Sequence, residues 1–411
     1  MKKKILIIGN GVREYALAKK MSENYSVYVA PESDTLKEFA NCLDIREDDV
    51  NGLLEFVLEN EIDLTIPISQ KSLDADIVNK FTEHKQTIFG PTAKSCEAIF
   101  NKASAKKTLY KLRIPTPKFG IFEKQNLAND YIKNLNVPFV IKTNDTNSAT
   151  IITSAQTAKN IIEYSLTDKK NKVIIEDYIY GTSFSFYAIT DGYKALPIGS
   201  SINYRHSLDG DGGQLTSGMA SCVPNYKLSI SNEYYLMDSV IYPTLEYLDS
   251  CDKPYQGIIG VNGIITDEGK LFILGWQNFM QDSDAAGILK NMEEDFYNLF
   301  FACAIGSFSD EYDTVNIKNN SSVSLVLACK NKNNTENVIS GIDKLDDRII
   351  VSYYPSVTKN KYLEFEANNG AVLIITAPAR TVAEASSLAY SEIKNINFNG
   401  ILYRKDICQS Q

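Results

Sequence analysis

The sequence predicts a multidomain protein of the α/β and α+β classes, with a parallel α/β unit at the amino terminus and an α+β unit at the carboxy terminus. Three observations carry this. Apolar runs alternate with helical patterns over residues 1–95, the order of a parallel sheet with right-handed crossovers. The two prolines of Ile114-Pro115-Thr116-Pro117 break any helix and mark a linker. The polar stretch Asn316 to Ser322 sets off a last segment that mixes strand and helix. A chain of 411 residues also exceeds what one ordinary core organises.

In the amino-terminal unit, Lys4 to Ile8 reads as a buried strand and Arg13 to Met21 as a helix, with Leu17 and Met21 one turn apart. Tyr25 to Ala30 is a second strand, Leu53 to Leu58 a helix, Leu64 to Ile68 a strand and Leu73 to Phe81 a helix. Thr87 to Phe89 closes the unit as a strand before Gly90-Pro91. Residues 96–117 are a linker built on a lysine-rich helix near 96–113. Residues 118–190 form a small lobe, with strands at Phe139 to Lys142, Ile151 to Thr153 and Val173 to Glu176, and from Phe184 to Ile189 onward the strands are longer. Residues 191–314 form a central lobe with longer strands, Gly257 to Ile265 and Leu271 to Leu274. Gly269 suits the positive φ of the turn between those two. Asp282 to Ile305 is mostly helical. Residues 320–411 form the last unit, in which the strand Ala371 to Ala377 precedes the helix Val382 to Ile393.

The net charge of −9 gives no support for a nucleic-acid partner, though it leaves room for a local basic pocket for a small phosphate. The basic start followed by Ile5 to Ile8 is too short for a secretory apolar region, and no stretch reaches membrane-spanning length. The seven cysteines are scattered singly without a CxxC pair, and read as small core residues in a reducing cytoplasm. Two histidines supply neither a histidine-rich metal site nor a Ser-His-Asp triad.

A strand, then Gly9-Asn10-Gly11, then a helix is a phosphate-binding arrangement, because glycine lets backbone approach an anion and the helix start offers free N–H groups. A dinucleotide fingerprint wants a third glycine where Glu14 stands, with Glu32 near the position of a ribose-binding acid. A ligand-free tight turn is the other alternative. Arg13, directly after the turn, favours the phosphate of a small substrate, which a guanidinium grips with two hydrogen bonds.

Ordered segments along the chain carry a resemblance. They are Ile8-Gly9-Asn10-Gly11-Val12-Arg13-Glu14-Tyr15-Ala16-Leu17, Ile88-Phe89-Gly90-Pro91-Thr92-Ala93, Lys102, and Leu112-Arg113-Ile114-Pro115-Thr116. They continue with Val140-Ile141-Lys142, Ile174-Ile175-Glu176, Gly218-Met219, Thr381-Val382-Ala383-Glu384-Ala385 and Arg404-Lys405-Asp406-Ile407. Together they resemble the phosphoribosylamine–glycine ligases, which are ATP-grasp enzymes of purine biosynthesis. The resemblance implies an amino-terminal substrate domain, a two-lobed ATP-grasp module and a carboxy-terminal domain. In that family ATP phosphorylates the carboxylate of glycine, and the amine of 5-phosphoribosylamine attacks the acyl phosphate. Carried over, Lys102 and Lys142 hold ATP phosphates and Glu176 lies at the adenine pocket. Gly9, Asn10, Gly11, Arg13, Arg205, Asp211 and Gly218 face the phosphorylated substrate.

The family pattern is also broken in several places. Its glycine-rich phosphate loop is replaced by the glycine-free run Thr143 to Thr150, whose side chains hold backbone away from an anion. Thr182 and Ser183 stand where an acidic pair with the ribose-binding glutamate is expected. The magnesium-binding glutamate and asparagine are replaced by Gly275 and Gln277, so no metal site is expected there. Asp282 and Asp284 are the weak substitutes, with charges at a helix start as their plainer reading. Ile68-Ser69-Gln70 replaces a glycine-proline-glutamate motif, while Arg205 and His206 keep positive character. Asp209-Gly210-Asp211-Gly212-Gly213 lacks the spaced ligands and terminal glutamate of a calcium loop.

Three readings follow. The first is an active ligase using ATP and Mg²⁺. The second is a catalytically silent relative that uses neither cofactor and binds a phosphosugar or a protein partner. The third is an ATP-grasp ligase with a changed substrate.

Overall fold

The computed structural model describes residues 2–143, 149–168, 171–330 and 337–408. Its amino-terminal unit is a four-stranded parallel sheet in the order 41–42, 26–30, 4–8, 64–67. Ile5, Leu6, Ile7 and Ile8 are all fully buried, because helices and neighbouring units cover both faces of a parallel sheet. The expected strand at Thr87 to Phe89 is only a lone parallel bridge between Thr65 and Ile88. The expected helix Leu73 to Phe81 is two, Gln70–Asp74 and Ile77–Glu83, parted by Asp76 in the left-handed region at φ 62°. The lysine-rich linker helix is likewise two, Ala93–Phe100 and Lys102–Lys111. Asn101 between them is extended, and its side chain accepts the Ser104 N–H at 3.1 Å, so it stops one helix and caps the next.

The small lobe is an antiparallel sheet in the order 119–122, 173–177, 139–143, 149–152. Helices Gln125–Ile132 and Ala155–Ser165 bury Ala128, Ile132, Ala158 and Ile162 against Phe139, Ile141, Val173 and Ile175. The small sheet ends at Asp177, and the boundary expected at residue 190 moves back accordingly. Thr182–Thr190 pairs with Ala195–Leu208 on one side and with Gly257–Ile265 on the other, so it is an inner strand of a different sheet. Gly181 makes the passage: its φ is 152°, and a Cβ there would come within 2.3 Å of the Ile265 carbonyl oxygen.

The central and carboxy-terminal units share one sheet, which the polar stretch near 316–322 does not interrupt. Its path runs 271–277, 257–265, 182–190, 195–208, 212–223, 321–329, 370–379, 350–353, with 401–402 beside 321–329. The join is the antiparallel pairing of Gly212–Val223 with Ser321–Cys329, in register Ala220 to Leu325. Asp282–Asn291 and Phe296–Ile305 are separate helices, and the first packs on this sheet and on the helix Val12–Ser22. That contact brings the glycine turn of the first unit to the edge of the central cleft. No helix among the described residues is long and apolar enough to cross a membrane.

Candidate functional site

Two joined chambers, of about 910 and 740 Å³, lie between the small lobe and the large sheet. Lys142, Ala149, Arg205 and Leu274 line both. This is the size range of small-molecule sites, at an interface between units where such sites form.

The side of the cleft expected to take a nucleotide is built on a buried charge triad. Glu176 and Lys142 lie on adjacent antiparallel strands, offset diagonally by two residues on one face. Lys142 Nζ pairs closely with Glu176 Oε1, and Lys106 Nζ lies 2.7 Å from Glu176 Oε2. Lys106 also donates to Thr116 Oγ1 at 2.7 Å. Glu176 and Lys106 are each 2 % exposed. Burial alone would raise the Glu176 carboxyl, but Lys142 and then Lys106 outweigh it and hold it below the usual range. Burial pushes the Lys106 ammonium down to about 8, against the pull of Glu176. Lys102 donates to the Thr143 carbonyl at 3.0 Å. Glu176, expected at an adenine pocket, thus sits on the cleft wall as the counterion of two lysines. Lys106 escaped the sequence reading, although it lies one helical turn from Lys102 on the same face, which was the available signal. Of the glycine-free run Thr143 to Thr150, residues 144–148 lie outside the described residues.

On the side expected to take the phosphorylated substrate, bulges at 204–208 in the hairpin of strands 195–208 and 212–223 aim Arg205 into both chambers. Its Nε donates to the Thr216 carbonyl at 3.4 Å, and burial lowers its guanidinium. No carboxylate pairs with it among the described residues. Asp211 is elsewhere engaged, accepting from Arg404 at 2.8 Å, and Arg404 also forks onto Asp406 at 2.9 and 2.7 Å. Gly218 lies beside Ser283 at the start of the helix Asp282–Asn291.

The glycine turn, expected to meet a phosphate, is closely packed by its own helix. The carboxyl group of Glu14, which is 3 % exposed, lies against both Gly9 and Gly11. A Cβ at Gly9 would stand 2.5 Å from Glu14 Oε1. The Gly9 N–H donates to the Ala30 carbonyl at 2.7 Å, and the Asn10 amide donates to the Glu32 carbonyl at 3.2 Å. Arg13 does face the smaller chamber, but its Nε is 3.3 Å from Asp282 Oδ1. Packing of the helix Val12–Ser22 on Asp282–Asn291 forces this pairing between residues 269 positions apart, which no local pattern signals.

Gly275 and Gln277, expected at the family's magnesium position, do not offer ligands that fit that ion. Gly275 offers no donor. Gln277 is committed, donating to the Tyr187 hydroxyl at 2.7 Å and accepting from Asn262 at 3.3 Å. Asp284, one of the two expected substitutes, is fully buried, accepting from Tyr187 at 2.6 Å, Ser201 at 2.7 Å and Asn203 at 3.0 Å. Burial pushes its carboxyl up despite those donors. Asp282 opens on the cleft but is paired with Arg13. Gln281, not either aspartate, is the helix N-cap. Mg²⁺ demands several hard oxygens in octahedral array, and no cluster of three His, Cys, Asp or Glu side chains stands ready among the described residues. Thr182 and Ser183 line the larger chamber, where Lys227 donates to Thr182 Oγ1 at 2.7 Å.

Comparison with known proteins places these features in a family. Residues 3–98, 100–284 and 322–410 match the N domain, the ATP-grasp (A) domain and the C domain of phosphoribosylglycinamide synthetase. The phosphoribosylamine–glycine ligase of Clostridium acetobutylicum is 30% identical over 422 residues, covering 99% of this chain and 100% of that protein. That of Halalkalibacterium halodurans is 28% identical over 419 residues, covering 98% and 96%. Among solved structures, the Thermotoga maritima phosphoribosylamine–glycine ligase superposes with a TM-score of 0.80 at 21% identity, over 98% and 99% of the two chains. The biotin carboxylase domain of a Hydrogenobacter thermophilus carboxylase gives 0.72 at 15% identity, over 98% and 92%, which shows a shared fold. A family match to all three units, in order and over nearly the full length, makes this chain a member of the phosphoribosylamine–glycine ligase family of purine biosynthesis, built on the ATP-grasp fold.

Proposed function

We propose that this member binds a small phosphorylated ligand in the inter-lobe cleft and does not turn over ATP. The observation that carries the reading is the wall at Gly275 and Gln277. The metal carboxylate position there ends at Cα, and the neighbouring amide is spent on Tyr187 and Asn262. Phosphoryl transfer needs the charge on the moving group neutralised in the transition state, which a ground-state cation alone does not supply. The cationic wall of the cleft is retained. Arg205 opens on both chambers and, among the described residues, has no carboxylate partner. It is therefore the first anchor for a phosphate, ahead of Arg13, whose charge is shared with Asp282.

Calorimetry with ribose 5-phosphate tests the binding half of this reading. Replacing Arg205 with Ala is expected to weaken binding by about 1.5–3 kcal/mol, the range for a hydrogen bond to a charged group. Replacing Arg13 with Ala is expected to cost less than Arg205→Ala, because the Arg13 charge is already shared with Asp282. Unchanged affinity in Arg205→Ala removes Arg205 from the site.

The second reading, an active phosphoribosylamine–glycine ligase, is favoured by one observation: Lys102 and Lys142 both stand on the cleft, which is large enough for a nucleotide. ATP titration with and without Mg²⁺ separates the two readings. A strong gain in ATP affinity from Mg²⁺ belongs to the active enzyme.

A further inference from the structure

Cys222 and Cys408 are 186 residues apart in sequence, yet their Sγ atoms lie 2.8 Å apart. Both are free thiols. Cys222 is fully buried on the strand Gly212–Val223, where it pairs with Ile202. Tyr204, two residues along from Ile202, shares that face, and its hydroxyl is 3.4 Å from Cys408 Sγ. Cys408 comes from the carboxy-terminal segment and is partly exposed on the wall of the larger chamber.

The meeting is held in place by other groups. The Ile407 N–H donates to the Tyr390 hydroxyl at 3.0 Å, and the Ile407 carbonyl accepts from Ser386 at 3.0 Å. Cys408 itself has φ 50°, in the left-handed region that a side-chain-bearing residue enters only when its surroundings hold it there. The helix Val382–Glu392 thus fixes the chain just before Cys408 and turns its thiol inward on Cys222.

We propose that Cys222 and Cys408 are a reversible thiol–disulfide pair, which a small disulfide oxidant of the glutathione class closes to fasten the carboxy-terminal segment onto the central sheet. The two thiols are unequal in the way such an exchange requires. Contact with the Cys222 thiol holds the Cys408 thiol below the usual cysteine range, and the same contact, with burial, pushes the Cys222 thiol up. Cys408, partly open on the chamber, is the attacking group. Its thiolate attacks one sulfur of the oxidant, forming a mixed disulfide and expelling one thiolate. Cys222 then gives up its proton and attacks Cys408 Sγ, expelling the second thiolate. Two protein thiols and one small disulfide become one protein disulfide and two small thiols, so electrons and protons balance. The closed bond ties down the segment that carries Arg404 and Asp406, two residues of the same chamber wall. This inference rests on the thiol geometry alone and is independent of whether ATP is turned over.

The test is peptide mapping by mass spectrometry of the reduced full-length chain after exposure to oxidised glutathione, with remaining thiols alkylated. The expected result is loss of two of the seven thiols and a linked peptide joining Cys222 to Cys408, restored to free thiols by dithiothreitol. Cys408→Ser abolishes the link, and Cys222→Ser stops at a glutathione adduct on Cys408. The proposal is overturned if the wild-type chain keeps both thiols or stops at the adduct. It is equally overturned if the exposed Cys251 reacts while this pair stays reduced.

Discussion

Replacing Glu176 with Gln is expected to destabilise the small lobe by about 3–5 kcal/mol at neutral pH, the range for breaking a buried ion pair from one side. Gln keeps the volume and removes only the charge, leaving Lys106 and Lys142 facing each other with Lys106 out of reach of water. The penalty has a ceiling, because Lys106 can shed its proton, which for an ordinary lysine at pH 7 costs about 4.6 kcal/mol. Lys106→Met is expected to cost less than Glu176→Gln, since Lys142 still neutralises the carboxylate. Hydrogen exchange across the strands 139–143 and 173–177 measures the effect locally, which suits a chain whose units need not unfold together.

The pH dependence has a defined sign. The Glu176 carboxyl is held below its ordinary value, so its contribution is complete above about 4.5 and is lost as pH falls through the lower folded value. That acid-side loss is expected to vanish in Glu176→Gln. Lys106 acts on the alkaline side: its folded value of about 8 lies below the ordinary 10.5, so unfolding takes up a proton between the two. The share of stability owed to this group therefore rises with pH over that window. Equal protection of the small lobe in wild type and Glu176→Gln from pH 5 to pH 9 rules out the triad as a stabilising unit.

Mixed with ATP, Mg²⁺, glycine and 5-phosphoribosylamine, the protein is expected to release ADP at least about 10²–10³-fold more slowly than an ordinary enzymatic rate on the order of 1 s⁻¹. Mg²⁺ is expected to add little to the affinity for ATP. On this reading the metal position at Gly275 and Gln277 limits turnover most, and the structure leaves room to rebuild it. Asn262 pairs with Gly275 at a bulge, and a Cβ at Gly275 would meet nothing within 4 Å. Its φ of 157° asks the backbone to relax for any side chain. The double replacement Gly275→Glu with Gln277→Asn rebuilds the family's ligand pair. It is expected to make ATP binding respond to Mg²⁺, which calorimetry reads whether or not turnover returns. Release of ADP by the wild-type chain near 1 s⁻¹ would show the reading of a silent relative to be wrong. Asp282, the carboxylate open on the cleft, would then be the metal ligand to test by Asp282→Asn, because Asp284 is closed off by its own hydrogen bonds.

The sequence by itself determined the order of the units, the first parallel sheet and the family. Each is written in local signals: the unbroken apolar run Ile5 to Ile8, the proline pair at 115 and 117, and motifs that keep their order along the chain. It also raised the expectation that a metal carboxylate is wanting at Gly275, since the absence of a side chain needs no fold to be seen. Only the tertiary structure decided what the charged residues do. Arg13 meets Asp282 and Asp211 meets Arg404, each through packing between elements far apart in sequence, while Glu14 folds back locally over the turn at Gly9 and Gly11. Thr182–Thr190 joined the large sheet for the same reason, because a strand's partners are chosen by register and burial across the whole sheet. Lys106 shows the limit most plainly. A lysine on a helix reads as solvated until the fold buries it, and what made burial affordable here was the carboxylate of Glu176, 70 residues further along the chain.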